Sequence, residues 1–442
     1  ALAAVGFTGA RGTSLPVPGD DATIAVGAGD LQTLDAAAVR DLAAGFALAS
    51  GSQQHLTLRL DSLAAEPSWF AAAVEGIVLA RYEFTPLRAT NRPRLERITL
   101  VAGEGADLAA ASAAADRGLV LARSACISRD LANCPPAHLT AERFGQVAER
   151  LGPDAGLVVE TFDRDALLEL RCGGILGVNG GSHDEPRMIK LAYAPSSAAI
   201  GSLALVGKGI MYDSGGISLK PADGTHATMK NDMSGAGSIF AAMLALRDLG
   251  VTAAVTAYLM CTDNMPGGSA LRMGDVITAR NGTTVEIENT DAEGRLVMMD
   301  ALVMAAEAEP DAIIDVATLT GASMRALGTL VASVMGNSQQ VVDQVLAAST
   351  VTDERTWQLP LERAYRAQLA SQIADISNLG GPNAGAITAG LFLDEFVGGT
   401  PWAHVDIAGT AMADPAGSWR VPGCTGFGAR LVAELAAAFH AP

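Results

Sequence analysis

The sequence predicts an α/β protein in two parts. A small N-terminal α/β domain is joined by a helix to a larger C-terminal domain with a mostly parallel central sheet flanked by helices. Three observations carry that reading. A chain of 442 residues exceeds one ordinary core, so two domains are expected. Short β-rich runs alternate with alanine-rich helical stretches along much of the chain. Leu203–Gly207 and Asp311–Ala317 are nearly unbroken apolar runs, as strands buried on both faces of a parallel sheet would be.

In the first domain, placed at residues 1–123, Thr23–Val26 and His55–Leu60 read as strands. Ser68–Ala80 reads as a helix, Arg97–Ala102 as a strand, and a second helix starts near Ala106. No cluster of His, Cys or acids stands out there, which favours a structural or regulatory role. Ser112–Leu131 reads as the connecting helix, broken at Cys134-Pro135-Pro136 because proline lacks the N–H a helix requires. The second domain is placed at residues 135–442. In it Glu142–Leu151, Leu157–Thr161 and Arg164–Leu170 restart the alternation. Ser238–Leu249 is expected as a helix and Val251–Met260 as a strand, with further strands near Leu330–Val334 and Ala403–Ile407. Charged and glycine-rich segments follow these strands, where open α/β sheets bind ligands.

Composition narrows the function. Apolar content of 49% supports a large core, and the net charge of −18 argues against nucleic acid or an anionic membrane as the main partner. Five scattered cysteines without CxxC spacing fit free thiols in a reducing compartment. The apolar N-terminal heptapeptide Ala1–Phe7 is too short for a signal peptide, and no apolar run reaches membrane length. Cytoplasm is the expectation.

The densest chemistry lies at Asn289-Thr290-Asp291-Ala292-Glu293-Gly294-Arg295-Leu296. Thr284–Glu288 alternates as a half-buried strand does, and the same period would put Asp291, Glu293 and Arg295 on its inward face. Buried carboxylates need a partner or a metal. Leu296–Ala306, apolar but for Asp300, is expected as a buried helix. These residues leave a metal site and an ion-pair cluster both open.

Other chemistries find less support. Lys208 is a near miss for a phosphate loop, since Ser202 stands at the first glycine position and Gly209 follows the lysine. There is no Gly-x-Ser-x-Gly elbow. The six histidines never approach HExxH spacing and read as core or surface residues. An oxygen-rich set remains: Asp213, Asp232, Asp291 and Glu293, with Lys208, Lys220 and Arg295 nearby. Hard carboxylates suit divalent cations, and a pair of cations can activate a water and polarise a carbonyl at once. Turn chemistry is the alternative for Asp213 and Asp232, each close to Gly or Ser.

The chain resembles the leucine aminopeptidase family, the cytosol aminopeptidase type of metallopeptidase. Asn289–Leu296 reproduces that family's eight-residue signature. The resemblance extends through Val206-Gly207-Lys208-Gly209, Asp213-Ser214-Gly215-Gly216, Lys220-Pro221, Asp232-Met233-Ser234-Gly235 and Asn264-Met265-Pro266-Gly267. It continues in Asp315–Gly321 and Trp402–Gly409, covering the chain strongly from about Pro135 onward. It implies a metal-dependent aminopeptidase acting on peptides, with two divalent ions (Mn²⁺ or Zn²⁺) per subunit. Lys208, Asp213, Asp232 and Glu293 would hold the tighter ion; Asp213, Asp291 and Glu293 the more exchangeable one. Lys208 would have to be neutral to do so. Lys220 would stabilise the oxyanion. Arg295 would hold a bicarbonate serving as general base, with backbone groups near Ala292, Gly294 and Leu319 completing the anion site.

By the same resemblance, Met229, Thr318, Gly321, Ala408 and Ala411 would line the pocket for the first, leucine-like side chain, and the assembly would be a homohexamer. Tyr212, Asp263 and Met273 depart from the family's usual Phe, Glu and Pro; none of them is a ligand. A narrow dipeptidase of the Cys-Gly type, a DNA-binding architectural role and a non-catalytic structural role are the competing expectations.

Overall fold

The computed structural model describes all residues except 1–5, 18–21, 62, 64–65, 90–92 and 414–416, so most of the N-terminal heptapeptide lies outside the described residues. The chain divides into two units, residues 1–126 with 413–425, and residues 127–412 with 426–442. The boundary at 126/127 falls inside a helix, Leu108–Asn133.

In the first unit Asp35 opens the Ala36–Ala49 helix by accepting from the Ala38 N–H at 2.8 Å. A second helix, Pro67–Ala80, starts with proline where no N–H is needed. Both are rich in alanine and bury Val39, Ala43, Phe46, Phe70, Ala73 and Ile77 in one core. His55–Arg59 pairs in parallel with Arg97–Val101, and Ser14–Val17 pairs antiparallel with Thr23–Val26. Trp419, far along the chain, is buried in this same core.

The second unit is built on an eight-stranded sheet. In spatial order its strands are Thr356–Gln358, Ala332–Gly336, Trp402–Asp406, Ala312–Ala317, Ser202–Asp213, Ala254–Asn264, Arg187–Tyr193 and Val158–Phe162. The central pairings, from Trp402–Asp406 through Ala254–Asn264, are parallel. The pairings toward Val158–Phe162 are antiparallel, as is that of Ala332–Gly336 with Trp402–Asp406. Ala312–Ala317 is buried at every residue, which its apolar run demands.

The apolar stretch after the acidic motif is a helix, Glu293–Glu307, buried over most of its surface. Asp300 within it accepts from the N–H groups of Gly174 (2.8 Å) and Arg280 (2.9 Å). Burial pushes its carboxyl up to about 7 against those donors. Asp300 therefore ties loop backbone to the helix and belongs to the scaffold.

Three expectations need correction. The strand from Thr284 stops at Glu286, and Asp291, Glu293 and Arg295 do not share an extended face. Asn289 closes a turn instead, its side chain accepting from the Asp291 N–H at 2.9 Å, and the helix begins at Glu293. The helix expected at Ser238 starts at Ser234, because the Met229–Met233 3-10 turn runs directly into it. The strand expected from Val251 begins at Ala254 and continues to Asn264.

Candidate active site

Lys208 and Asp213 come from one strand, Ser202–Asp213. In a regular strand an even and an odd position face opposite ways. A bulge corrects the parity: Ile210 pairs with Thr262 and Asp213 with Asn264, so three steps on one strand meet two on the other. Asp213 is thereby turned to the side of Lys208. The turn after it places Gly215 at φ +89°, where a Cβ would stand 2.9 Å from Asp291 Oδ1. Gly294 admits the lysine, since a Cβ there would lie 2.7 Å from Lys208 Cε.

Four segments meet at this point. Carboxylate oxygens of Asp213, Asp291 and Glu293 lie within 4.8 Å of one another. Lys208 Nζ is 2.8 Å from Glu293 Oε1 and 2.8 Å from Asp232 Oδ2. Lys220 Nζ is 2.7 Å from Asp213 Oδ2 and 2.5 Å from Asp291 Oδ1. All seven charged residues singled out from the sequence thus belong to one neighbourhood, with Arg295 two residues beyond Glu293 in the helix that Glu293 opens.

Electrostatics mark the cluster as under-neutralised. Burial and the neighbouring Asp213 push the Glu293 carboxyl up to about 7, in spite of Lys208. Asp232 and Asp291 are raised by the same two causes, desolvation first. Burial opposes charge on Lys208, but Asp232, Glu293 and Asp213 outweigh it and hold its pKa above the ordinary value. A lysine ligand must shed that proton, so only added positive charge could make Lys208 a ligand.

Two further observations test whether the residues fit the groups expected of them. Asp232 Oδ2 is buried with no well-aligned hydrogen bond, despite its short approach to Lys208. That is an oxygen available to a cation. Arg295 is 5% exposed, and its Nε and Nη1 make no hydrogen bond. Burial pulls its pKa down to about 10, with Glu293 and Asp406 opposing. A buried guanidinium with two idle donors suits a small anion.

The expected substrate-side residues fall at the ends of the neighbouring elements. Met229 opens the turn that carries Asp232. Thr318 accepts from Lys208 Nζ through its carbonyl at 2.8 Å and donates through Oγ1 to the Asp232 carbonyl at 3.1 Å. Gly321 starts the next helix, capped by Thr320. Asp406 accepts from the N–H groups of Leu319 (3.2 Å) and Ala408 (3.0 Å) and from Thr320 Oγ1 (2.7 Å). It thus ties the 318–320 loop to the turn that leads on to Ala411.

Asp406 and Asn264 lie in motifs quoted from the sequence, but neither was given a role there. Asn264 Nδ2 donates to Asp213 Oδ1 at 2.8 Å and to the Thr290 carbonyl at 3.0 Å, fixing two ligand segments together. Both residues end strands of the parallel centre, the position that could have flagged them. Among the histidines, His404 is fully buried, with Nδ1 2.5 Å from Asp315 Oδ1.

Residues 126–433 match the cytosol aminopeptidase family, catalytic domain. The chain belongs to this family. A "probable cytosol aminopeptidase" of Solibacter usitatus is 43% identical over 424 residues, covering 95% of this chain and 88% of that protein. One from Chlorobaculum tepidum is 43% identical over 376 residues, covering 83% and 74%. Among solved structures, the bottromycin maturation enzyme BotP in complex with Mn superposes with a TM-score of 0.92 at 36% identity, covering 99% of this chain and 95% of that one. Membership in the cytosol aminopeptidase family makes this chain a hydrolase of the metal-dependent aminopeptidase class.

Proposed function

We propose that this cytosol aminopeptidase removes leucine-like residues from the N-termini of peptides, using two divalent cations, manganese or zinc. The reading is carried by one observation: oxygens of Asp213, Asp291 and Glu293 converge within 4.8 Å in a largely buried site. That BotP, a structural neighbour, was solved in complex with Mn supports the metal dependence. When bound, such a pair supplies Lewis-acid polarisation of the peptide carbonyl and lowers the pKa of a water.

Asp213, Asp232 and Glu293 with Lys208 would hold one ion, and Asp213, Asp291 and Glu293 the other. Lys220, already among these carboxylates, donates to the oxygen on which negative charge develops. Arg295 would hold a bicarbonate with its idle donors, assisted by backbone near Ala292, Gly294 and Leu319; that anion's chemistry is a general base's. Met229, Thr318, Gly321, Ala408 and Ala411 would contact the first side chain, and their small or apolar character favours aliphatic residues. A cytoplasmic homohexamer completes the proposal.

The test is hydrolysis of a panel of aminoacyl amides after reconstitution with Mn²⁺ or Zn²⁺. Leucine and methionine amides should lead the panel. Cleavage of Cys-Gly alone would replace this reading by a narrow dipeptidase, and full turnover in protein shown by elemental analysis to lack metal would overturn the cation role.

A further inference from the structure

Lys220 and Met229 stand at the two ends of one segment, and that segment has little holding it down. Residues 221–227 are exposed apart from His226, and the Gly224–Thr228 helix buries no residue. Asp223 caps that helix through the Thr225 N–H at 2.8 Å, but this bond is internal to the segment. The tie to the sheet is made at His226. Tyr212 Oη lies 2.6 Å from His226 Nδ1 and 3.4 Å from the His226 carbonyl, and the two rings sit 5.8 Å apart. Tyr212 itself precedes Asp213 on the bulged strand and borders a cavity of about 330 Å³ lined also by Pro136, Ser182 and Asp263. The hydroxyl is the group that joins this ring to the exposed segment.

We propose that Tyr212 is a positioning residue for substrate selection: its hydroxyl tethers His226, and through it sets Met229 against the first side chain of the substrate. The inference rests on the aminopeptidase reading given above. Tyr212 reaches no candidate ligand, so its contribution appears in substrate binding and leaves the chemical step alone. With His226 Nδ1 unprotonated the hydroxyl donates to it, and an asparagine amide oxygen can accept in the same position.

Kinetics and hydrogen exchange on the metal-loaded full chain test this. Tyr212→Phe should raise KM for leucine amide roughly 2- to 10-fold, the worth of one hydrogen bond, with kcat and metal content unchanged. Amide exchange across residues 221–228 should accelerate in the same variant. His226→Ala should reproduce both effects, the double variant should be no worse than either single one, and His226→Asn should restore KM. Unaltered KM and exchange in Tyr212→Phe, additive effects in the double variant, or a KM change accompanied by metal loss would each overturn the tether. If the wild-type protein cleaves no aminoacyl amide, the aminopeptidase reading fails by itself, and the exchange data still decide whether the tether exists.

Discussion

Two buried charge clusters, one in each unit, are built in opposite ways. In the first, Arg40 Nε meets Glu75 Oε2 at 2.9 Å inside an alanine-rich core, and cation and anion balance. In the second, Lys208 and Lys220 face Asp213, Asp232, Asp291 and Glu293, and Arg295 keeps two donors idle. A one-to-one ion pair has its charges balanced within the folded chain. An unmatched cluster is complete only with something bound, and its unspent interactions are what a reaction can use. Burial of charge therefore does not identify a site; several carboxylates converging on too few cations do.

The sharpest way to break this contrast is to remove a ligand from the unmatched cluster. Asp291→Asn or Glu293→Gln should abolish both metal content and peptide hydrolysis while circular dichroism stays native. Prolonged chelation of the wild type should do the same, and Mn²⁺, Zn²⁺ or Co²⁺ should reverse it. Retained metal with a collapsed melting temperature would make the cluster structural, like the pair in the first unit.

Arg295→Ala comes next. It should keep its metals yet lower kcat by about 10²–10⁴-fold, the usual cost of losing a general base. Added bicarbonate should stimulate anion-depleted wild type and not the variant. Loss of metal in Arg295→Ala would place the guanidinium among the structural partners of the carboxylates.

The matched pair supplies the opposite control. Glu75→Ala should destabilise the protein by about 3–5 kcal/mol, since it removes one partner of a buried ion pair. Per folded molecule, kcat should not change. A loss of turnover beyond the loss of folded protein would tie the first unit to the chemistry.

The smallest effect is a slope with pH. The Glu293 carboxyl titrates near 7 in the folded, metal-free protein and near 4.5 when unfolded. Between those values the folded state holds a proton that the unfolded state has released. Stability of the metal-free protein should therefore be fully present below about 4.5 and decline as pH rises toward 7. Glu293→Gln should lessen the slope, with Asp300, Asp232 and Asp291 keeping part of it, and Glu75→Ala should leave it in place. Denaturant titrations at several pH values, before and after Mn²⁺ addition, read this directly.

Much of the site was legible because ligand chemistry leaves local marks. Asp291 and Glu293 stand beside an apolar helix, and Asp213 and Asp232 beside glycines that permit close approach. The register argument for Asp291, Glu293 and Arg295 failed because Asn289 captures the Asp291 N–H and ends the strand early. Periodicity carries no information about such side-chain to backbone competition. Asn264 and Asp406 sat in quoted motifs, but their roles were illegible for another reason. Their partners lie 51 and 87 residues away in sequence, so only the assembled sheet reveals them. The large parallel sheet was readable from its unbroken apolar strands. That Trp419 completes the core of the first unit was not, since nothing near it in sequence points back there.

The bulge between Ile210 and Asp213 makes the site sensitive to chain length where it tolerates changes of identity. The one surplus residue decides which way Asp213 points, whatever side chain it carries. Met211 could be exchanged for another buried apolar residue of similar size with little harm. Deleting it would restore ordinary alternation and swing the carboxylate to the far side of the sheet, so a lineage carrying this strand can drift in composition but not in spacing.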